Sequence, residues 1–262
     1  MTTVASWPRE AAGKPESTKG PPTRLPCVVT IGPPNQVSAV DGVAAELRSA
    51  IHRGDYASGD RLPAERELAA LFGVSRITLR EAIRIMTEEG YLSSRRGSKG
   101  GTFVTELTEP YQRWLDSMRA DYGDLEDLLE FRIAVERRAA KLAAQRATVE
   151  DFTALEEAMA AMERAESRQD YRRADNIFHG AIATASRSPR LIQAISEARG
   201  SLFTSTDLIV YRELVQETQN QHQAILEAII RRDTEGVATA VEAHIQATRV
   251  GLHHMLFDAR EQ

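Results

Sequence analysis

The sequence predicts a mainly α-helical chain: an N-terminal winged helix-turn-helix, made of three helices and a small β-wing, followed by an all-α antiparallel bundle of about seven helices. Three observations lead there. The run RLPAERELAALFGVSRITLR, residues 61–80, reads as two short helices meeting at a tight turn. The segment SSRRGSKGGTFV reads as a β-hairpin with a Gly-rich, basic tip. From about Glu109 onward the pattern is helical almost without interruption, with no alternating strand runs.

Residues 1–35 are rich in Pro, Gly, Ser, Thr and Lys and lack periodicity, so a disordered, inert tail is expected. The tail lacks the apolar stretch of a secretory signal. The single Cys27 cannot form an internal disulfide, and no apolar run approaches the roughly 20 residues of a membrane span. A cytoplasmic protein is expected. At 262 residues the chain exceeds a typical single domain, and the expected divisions are the tail 1–35, a winged helix over 36–105 and a helical domain over 106–262. Residues 1–105 carry 14 Lys+Arg against 11 Asp+Glu, and the rest 19 against 27, which gives +3 and -8 and the overall -5. A net acidic chain can therefore still present a locally basic face to phosphates.

Within 36–105, Pro63 suits the first turn of a helix whose apolar side is Leu68, Ala69 and Leu71, and Gly73 permits the reversal that follows. Ser75 is placed to cap the next helix, where Leu79, Ala82, Ile83 and Met86 form the buried face. The opposite face carries Arg76, Thr78, Arg80 and Arg84. A helix presented this way fits the DNA major groove, where arginine forks onto guanine and hydroxyls reach phosphates. After Gly90-Tyr91-Leu92, the wing offers Arg95, Arg96 and Lys99 to phosphates or the minor groove. The alternative reading of each arginine taken alone is a solvated surface charge.

These residues carry a resemblance. LPAERELAALFGVSRITLREAI with the later GTFV resembles the winged helix of the GntR family of bacterial transcription regulators, over about residues 37–105. The resemblance implies DNA contacts by Arg66, Ser75, Arg76, Thr78, Arg80, Arg96 and Gly97. Ile77 departs from the usual threonine, which replaces a hydrogen bond there with apolar contact to a thymine methyl.

In the helical part, Asp124, Thr148, Asp170, Ser188 and Asp233 read as N-caps. A short connecting helix from Pro110 is followed by helices near 125–146, 149–168, 171–186, 189–202, 206–231 and 234–258. Asp175 and His179 lie four apart and share a helix face. His222 and His244 each stand 11 residues from Asp233, so in a helical hairpin they lie level, at about 16 Å from the bend. Three imidazoles and one carboxylate converging in a bundle suit a divalent transition metal, with zinc, nickel or manganese all compatible. His52 reads as a surface residue near the winged helix, and His253 and His254 as a solvated or dimer-facing pair.

The same constellation resembles the FCD-type effector domain of FadR-like GntR regulators, over about residues 109–257. The resemblance implies an ion on Asp175, His179, His222 and His244 at the floor of a cavity that receives a small organic acid. It further implies that Arg132, in an R-x-x-x-E pattern with Glu136, clamps the effector carboxylate. Arg212 is a second effector-binding candidate. A plain ion pair is the alternative for Arg132, one turn from Glu136, and a solvated helix residue the alternative for Arg212. The expected protein is a homodimeric DNA-binding regulator, a repressor of nucleoid DNA that responds to a small acid. Two alternatives stay open: a metal-dependent enzyme fused to a DNA-binding domain, and a purely structural ion. No HExxH, GxSxG or P-loop supports the enzyme, so a non-enzyme is expected.

Overall fold

The computed structural model describes residues 38–97, 100–203 and 211–258, the side chains of 168, 169, 211–215 and 258 excepted. The tail read as disordered, 1–35, and Lys99 lie outside the described residues. Helix α1 (Ala39–Arg53) comes first, capped by the Ser38 hydroxyl, which accepts from the Asp41 N–H. Then α2 (Glu65–Phe72) and α3 (Arg76–Glu88) meet at Gly73, whose φ of 65° is the left-handed conformation that the reversal requires. Ser75 caps α3 as its sequence position suggests, its hydroxyl accepting from the Thr78 N–H at 3.1 Å. Leu79, Ala82, Ile83 and Met86 are the buried face.

Two details differ from expectation. Pro63 stands ahead of α2, whose N-cap is Ala64. The proline instead keeps Leu62 extended, and the Leu62 N–H pairs with the Thr102 carbonyl at 2.9 Å, so residues 59–62 line the wing. Leu71 is 74% exposed, while Leu68 and Ala69 alone form the buried side of α2. The wing itself is β1 (Leu92–Arg95) antiparallel to β2 (Gly101–Val104), in register Leu92 with Val104 and Arg95 with Gly101.

Among the described residues seven further α-helices build the bundle: α4 (Thr108–Ala120), α5 (Tyr122–Arg146), α6 (Val149–Glu163), α7 (Arg168–Ala185), α8 (Pro189–Ser201), α9 (Tyr211–Ile230) and α10 (Thr234–His253), the last running into a π-helical turn at His254–Asp258. Thr148, Ser188 and Asp233 are N-caps as expected. Asp124 and Asp170 are not. Asp121 and Ser167 occupy those caps and accept from the Asp124 and Asp170 N–H groups, both at 3.1 Å. An acid is favoured in the first turn by the helix dipole as strongly as at the cap itself, so the spacing alone placed these two helix starts three residues late.

The winged helix docks on the bundle through the C-terminal half of α1, and His52 is its centre. Only 4% exposed, it is no surface residue. Its ring stacks on Phe203 at 4.3 Å and meets the Tyr91 hydroxyl and the Gly200 carbonyl. Around it Arg172 donates to the Ile51 carbonyl, Arg173 pairs with Asp60 at 3.0 Å, and Asn176 donates to Asp55 at 2.9 Å. Helix α1 is therefore buried on two sides, against α3 and against α8.

Gly200 permits this approach, because a Cβ there would stand 1.5 Å from Ser49 Oγ. Alanine is the better helix former by about 1 kcal/mol, yet overpacking of about 1–3 kcal/mol outweighs that gain. The net cost of up to about 2 kcal/mol is expected to lower Tm in Gly200→Ala by up to about 8 °C, and Ser49→Gly in the same chain to restore it. Differential scanning calorimetry checks both.

Burial, together with the charges of Arg172, Arg48 and Arg53, pushes the His52 pKa from 6.5 down to about 3, against the partial support of the Gly200 carbonyl. The folded state keeps the ring neutral, whereas the unfolded chain takes up a proton near pH 6.5. Stability is thus complete above that pH and lost as pH falls from 6.5 toward 3. By pH 5 the His52 contribution lost is about 2 kcal/mol. Urea unfolding of wild type and His52→Gln at pH 8 and pH 5 measures it, with a fall smaller by that amount in the variant.

Candidate DNA interface and metal centre

The start of α3 is the exposed corner of the helix-turn-helix. Arg76 and Arg80 both have side chains 61% exposed, and Ile77 is 82% exposed. Thr78 is half-buried, its hydroxyl 2.9 Å from that of Ser75. Apart from the Thr78 N–H, which Ser75 takes, the first-turn N–H groups and the positive end of the dipole gather at this helix start, which suits it to phosphate. Arg66 on α2, and Arg96 and Gly97 at the wing, are exposed, and Gly97 has a φ of 108°. Glu65, which the sequence offered only as part of a motif, holds both exposed arginines of the α3 start: its Oε2 accepts from Arg80 Nε at 2.7 Å and lies 3.8 Å from Arg76 Nη2. Arg84 is committed to its own helix, pairing with Glu81 at 2.6 Å and with Glu88. Arg95 lies over the Phe103 ring at 4.7 Å.

In the bundle, α7, α9 and α10 bring the histidines together. His179, His222 and His244 offer ring nitrogens that all lie within 4.8 Å of one another. His179 Nε2 is 3.2 Å from His222 Nε2, and Asp175 Oδ1 is 3.2 Å from His222 Nε2 and 3.7 Å from His179 Nε2. The hairpin of α9 and α10 sets His222 and His244 side by side, with ring centroids 4.7 Å apart. The imidazoles are buried, His222 completely.

Burial lowers the pKa of all three, aided at His179 by the Arg199 charge and at His244 by His222, while at His222 the Asp175 carboxylate opposes it. Neutral imidazoles are what a metal requires. Burial would raise the Asp175 carboxyl, but the Arg199 guanidinium and the neighbouring imidazoles outweigh it and hold it below its usual value.

The donor set fits a divalent transition ion. Two nitrogens each about 2.1 Å from one ion stand about 3.0–3.4 Å apart at octahedral to tetrahedral angles, as the 3.2 Å between His179 and His222 allows. In this structure the same two Nε2 atoms stand at hydrogen-bond distance, and His222 Nδ1 lacks a hydrogen-bond partner.

Three residues orient these ligands. His244 Nδ1 faces the Gln221 carbonyl oxygen at 2.9 Å, which places its proton there and frees Nε2. Glu136 Oε2 lies 3.6 Å from His179 Nδ1 and favours the same tautomer. Arg199 Nη2 donates to Asp175 Oδ2 at 2.7 Å. Sequence reasoning missed Arg199 and Gln221 and read Glu136 only as a partner of Arg132. The pairing of His244 with Gln221 was readable from the hairpin register, which also brings this neighbour of His222 level with it.

Arg132 and Glu136 form the buried ion pair, Nε to Oε1 at 2.6 Å, with side chains 3% and 6% exposed. Arg212 lies on α9 with its side chain outside the described residues. Beside the histidines a cavity of about 10 Å³ is lined by Glu136, Ala139, His179, Ile182, Ile195 and Val241. That is room for about one water. Among the described residues this space is too small for an organic acid, and Arg132 does not line it.

Residues 39–104 match the family profile described as bacterial regulatory proteins, gntR family, and residues 127–247 match the FCD domain. A regulator named for the L-lactate dehydrogenase operon of Escherichia coli strain K12 is 35% identical over 216 residues, covering 78% of this chain and 83% of that one. The chain belongs to the GntR family of bacterial transcriptional regulators. Its FCD domain is the α-helical bundle. RmpR of Mycobacterium gastri, named as an HTH-type transcriptional regulator, is 33% identical over 163 residues, 61% of this chain and 59% of that protein. The solved structure of E. coli McbR/YncC shares the fold, with a TM-score of 0.53 and 22% identity over 84% of this chain and 99% of that one. These relatives are transcriptional regulators, not enzymes, so this GntR protein is one too. Among its described residues no helix is long and apolar enough to cross a membrane.

Proposed function

We propose that this GntR regulator works in the cytoplasm on nucleoid DNA as a homodimer. Its parts 36–105 and 106–262 bind, respectively, a short palindromic operator and a small carboxylic acid, and the acid releases the operator and relieves repression. Arg66, Ser75, Arg76, Thr78, Arg80, Arg96 and Gly97 contact DNA. Asp175, His179, His222 and His244 hold a divalent ion of the zinc, nickel or manganese type. Two-fold protein symmetry matches a palindrome, and the exposed Phe131, Val250 and Phe257 on α5 and the end of α10 supply apolar surface for a second copy.

The observation that carries the effector reading is the convergence of three neutral imidazoles and one carboxylate in a buried place. Four protein ligands leave two positions of an octahedral ion, where a bound cation supplies Lewis-acid affinity for a carboxylate oxygen. The name of the E. coli relative points to a 2-hydroxy acid, whose carboxylate and hydroxyl oxygens can fill both. Arg132 neutralises the second carboxylate oxygen once Glu136 yields it, and Arg212 assists. The same movement opens the cavity.

The small volume beside His179 favours a second reading, an ion that only braces the bundle. A thermal-shift screen of two- to six-carbon acids on zinc-loaded protein separates the two. An acid that raises Tm in a concentration-dependent way supports the sensor. A Tm raised by zinc and unmoved by every acid supports the brace.

A further inference from the structure

The C-terminal turn of α8 touches both functional parts of the molecule. We propose that this turn couples them: Arg199 grips the metal-site residue Asp175, and the carbonyl of the next residue, Gly200, takes the hydrogen bond of His52 from the winged helix. The inference rests on reading the Asp175 cluster as the sensing site.

The links form one directed series. Asp175 Oδ1 stands 3.2 Å from His222 Nε2, and its other oxygen accepts from Arg199 Nη2 at 2.7 Å. One residue on, the Gly200 carbonyl is 3.1 Å from His52 Nδ1, and His52 Nε2 is 2.9 Å from the Tyr91 hydroxyl. A carbonyl oxygen only accepts, so His52 Nδ1 carries the proton. In a neutral ring Nε2 is then an acceptor and Tyr91 must donate to it.

Tyr91 in turn sits where α3 gives way to the wing. Its N–H donates to the Met86 carbonyl at 2.9 Å, and Leu92, next along, begins β1. Packing removes slack from the series: Phe203 stacks on His52, Ser201 accepts from Trp114 Nε1 at 3.2 Å, and Ser49 fills the space beside Gly200 that a side chain would need. A shift of the α8 end must therefore break the His52 bond or carry α1 with it. Ordering of Asp175 by a ligated cation reaches the winged helix by this route, and none of Arg199, Gly200, His52 or Tyr91 was a candidate in the sequence for metal or DNA contact.

Hydrogen exchange of the full-length protein, followed in peptides covering 50–56 and 86–92, tests the proposal. In metal-free protein Arg199→Gln is expected to speed exchange there about five-fold or more, the low end of ordinary coupling. In a Tyr91→Phe background, which removes one hydroxyl and keeps the ring, the same replacement adds nothing further. Zinc slows exchange in wild type and not in Tyr91→Phe, although Tyr91→Phe binds zinc as wild type does. Exchange unchanged by Arg199→Gln, or effects of the two replacements that simply add, overturns the coupling. If wild type binds no zinc, the sensing-site reading fails, and the metal-free comparison of the variants still decides the coupling by itself.

Discussion

Protein stripped by a chelator is expected to gain stability when zinc is added, and His222→Ala to lose that gain. At free zinc 1,000-fold above Kd, a folded-state ligand contributes about 4 kcal/mol, which for a chain of this size raises Tm by about 8–16 °C. His222 is the most informative ligand to remove, because it is fully buried and its Nε2 lies 3.2 Å from both His179 Nε2 and Asp175 Oδ1. Its truncation also leaves a small void, so metal-free wild type and variant are compared first and the zinc-dependent increment is read as a difference. Calorimetry with and without EDTA checks it. An increment in His222→Ala equal to that of wild type would show that zinc binds elsewhere.

Arg76→Ala and Arg80→Ala each weaken binding to a selected operator by about 1–3 kcal/mol, or about 5- to 150-fold, at fixed salt. Their effect on random duplex is smaller, since base discrimination is lost and phosphate attraction only reduced. Arg84→Ala serves as the contrast. Arg84 stands about two and a half turns along α3 from Ser75 and pairs with two acids of its own helix, Glu81 and Glu88, whereas Arg76 and Arg80 share Glu65 at the helix start, so its removal is expected to change operator affinity by less than either of the other two. Fluorescence anisotropy with the selected and random duplexes measures all three.

The helix-turn-helix was legible because its signals are local: the cap at Ser75, the reversal at Gly73 and the apolar spacing from Leu79 to Met86 all fall within fourteen residues. The convergence of the three histidines was legible for a related reason. Asp175 and His179 share a helix face, and the symmetric spacing of His222 and His244 about Asp233 encodes their height in a hairpin. What escaped depends on helices distant in sequence. Arg199 meets Asp175 only because α8 packs on α7, and His52 is buried only because the bundle covers the second side of α1. Periodicity describes one buried face per helix, so a helix covered on two sides shows an apolar face toward α3 and polar residues, Ser49, His52 and Arg53, toward α8. The helix starts at Asp121 and Ser167 escaped for a local reason, because an acid at the third position imitates a cap. The size of the cavity beside His179 depends on side-chain volumes across α5, α7, α8 and α10, which no spacing rule reports.

An acid bound at the histidine cluster is proposed to govern the grip on DNA, and an operator titration measures that dependence. A duplex selected from genomic fragments is titrated with zinc-loaded protein, alone and with each of a panel of small hydroxy acids and dicarboxylic acids. At least one acid is expected to weaken binding about five-fold or more in wild type and to leave His222→Ala unaffected. Operator affinity that stays the same with every acid, while zinc remains bound, would contradict the account.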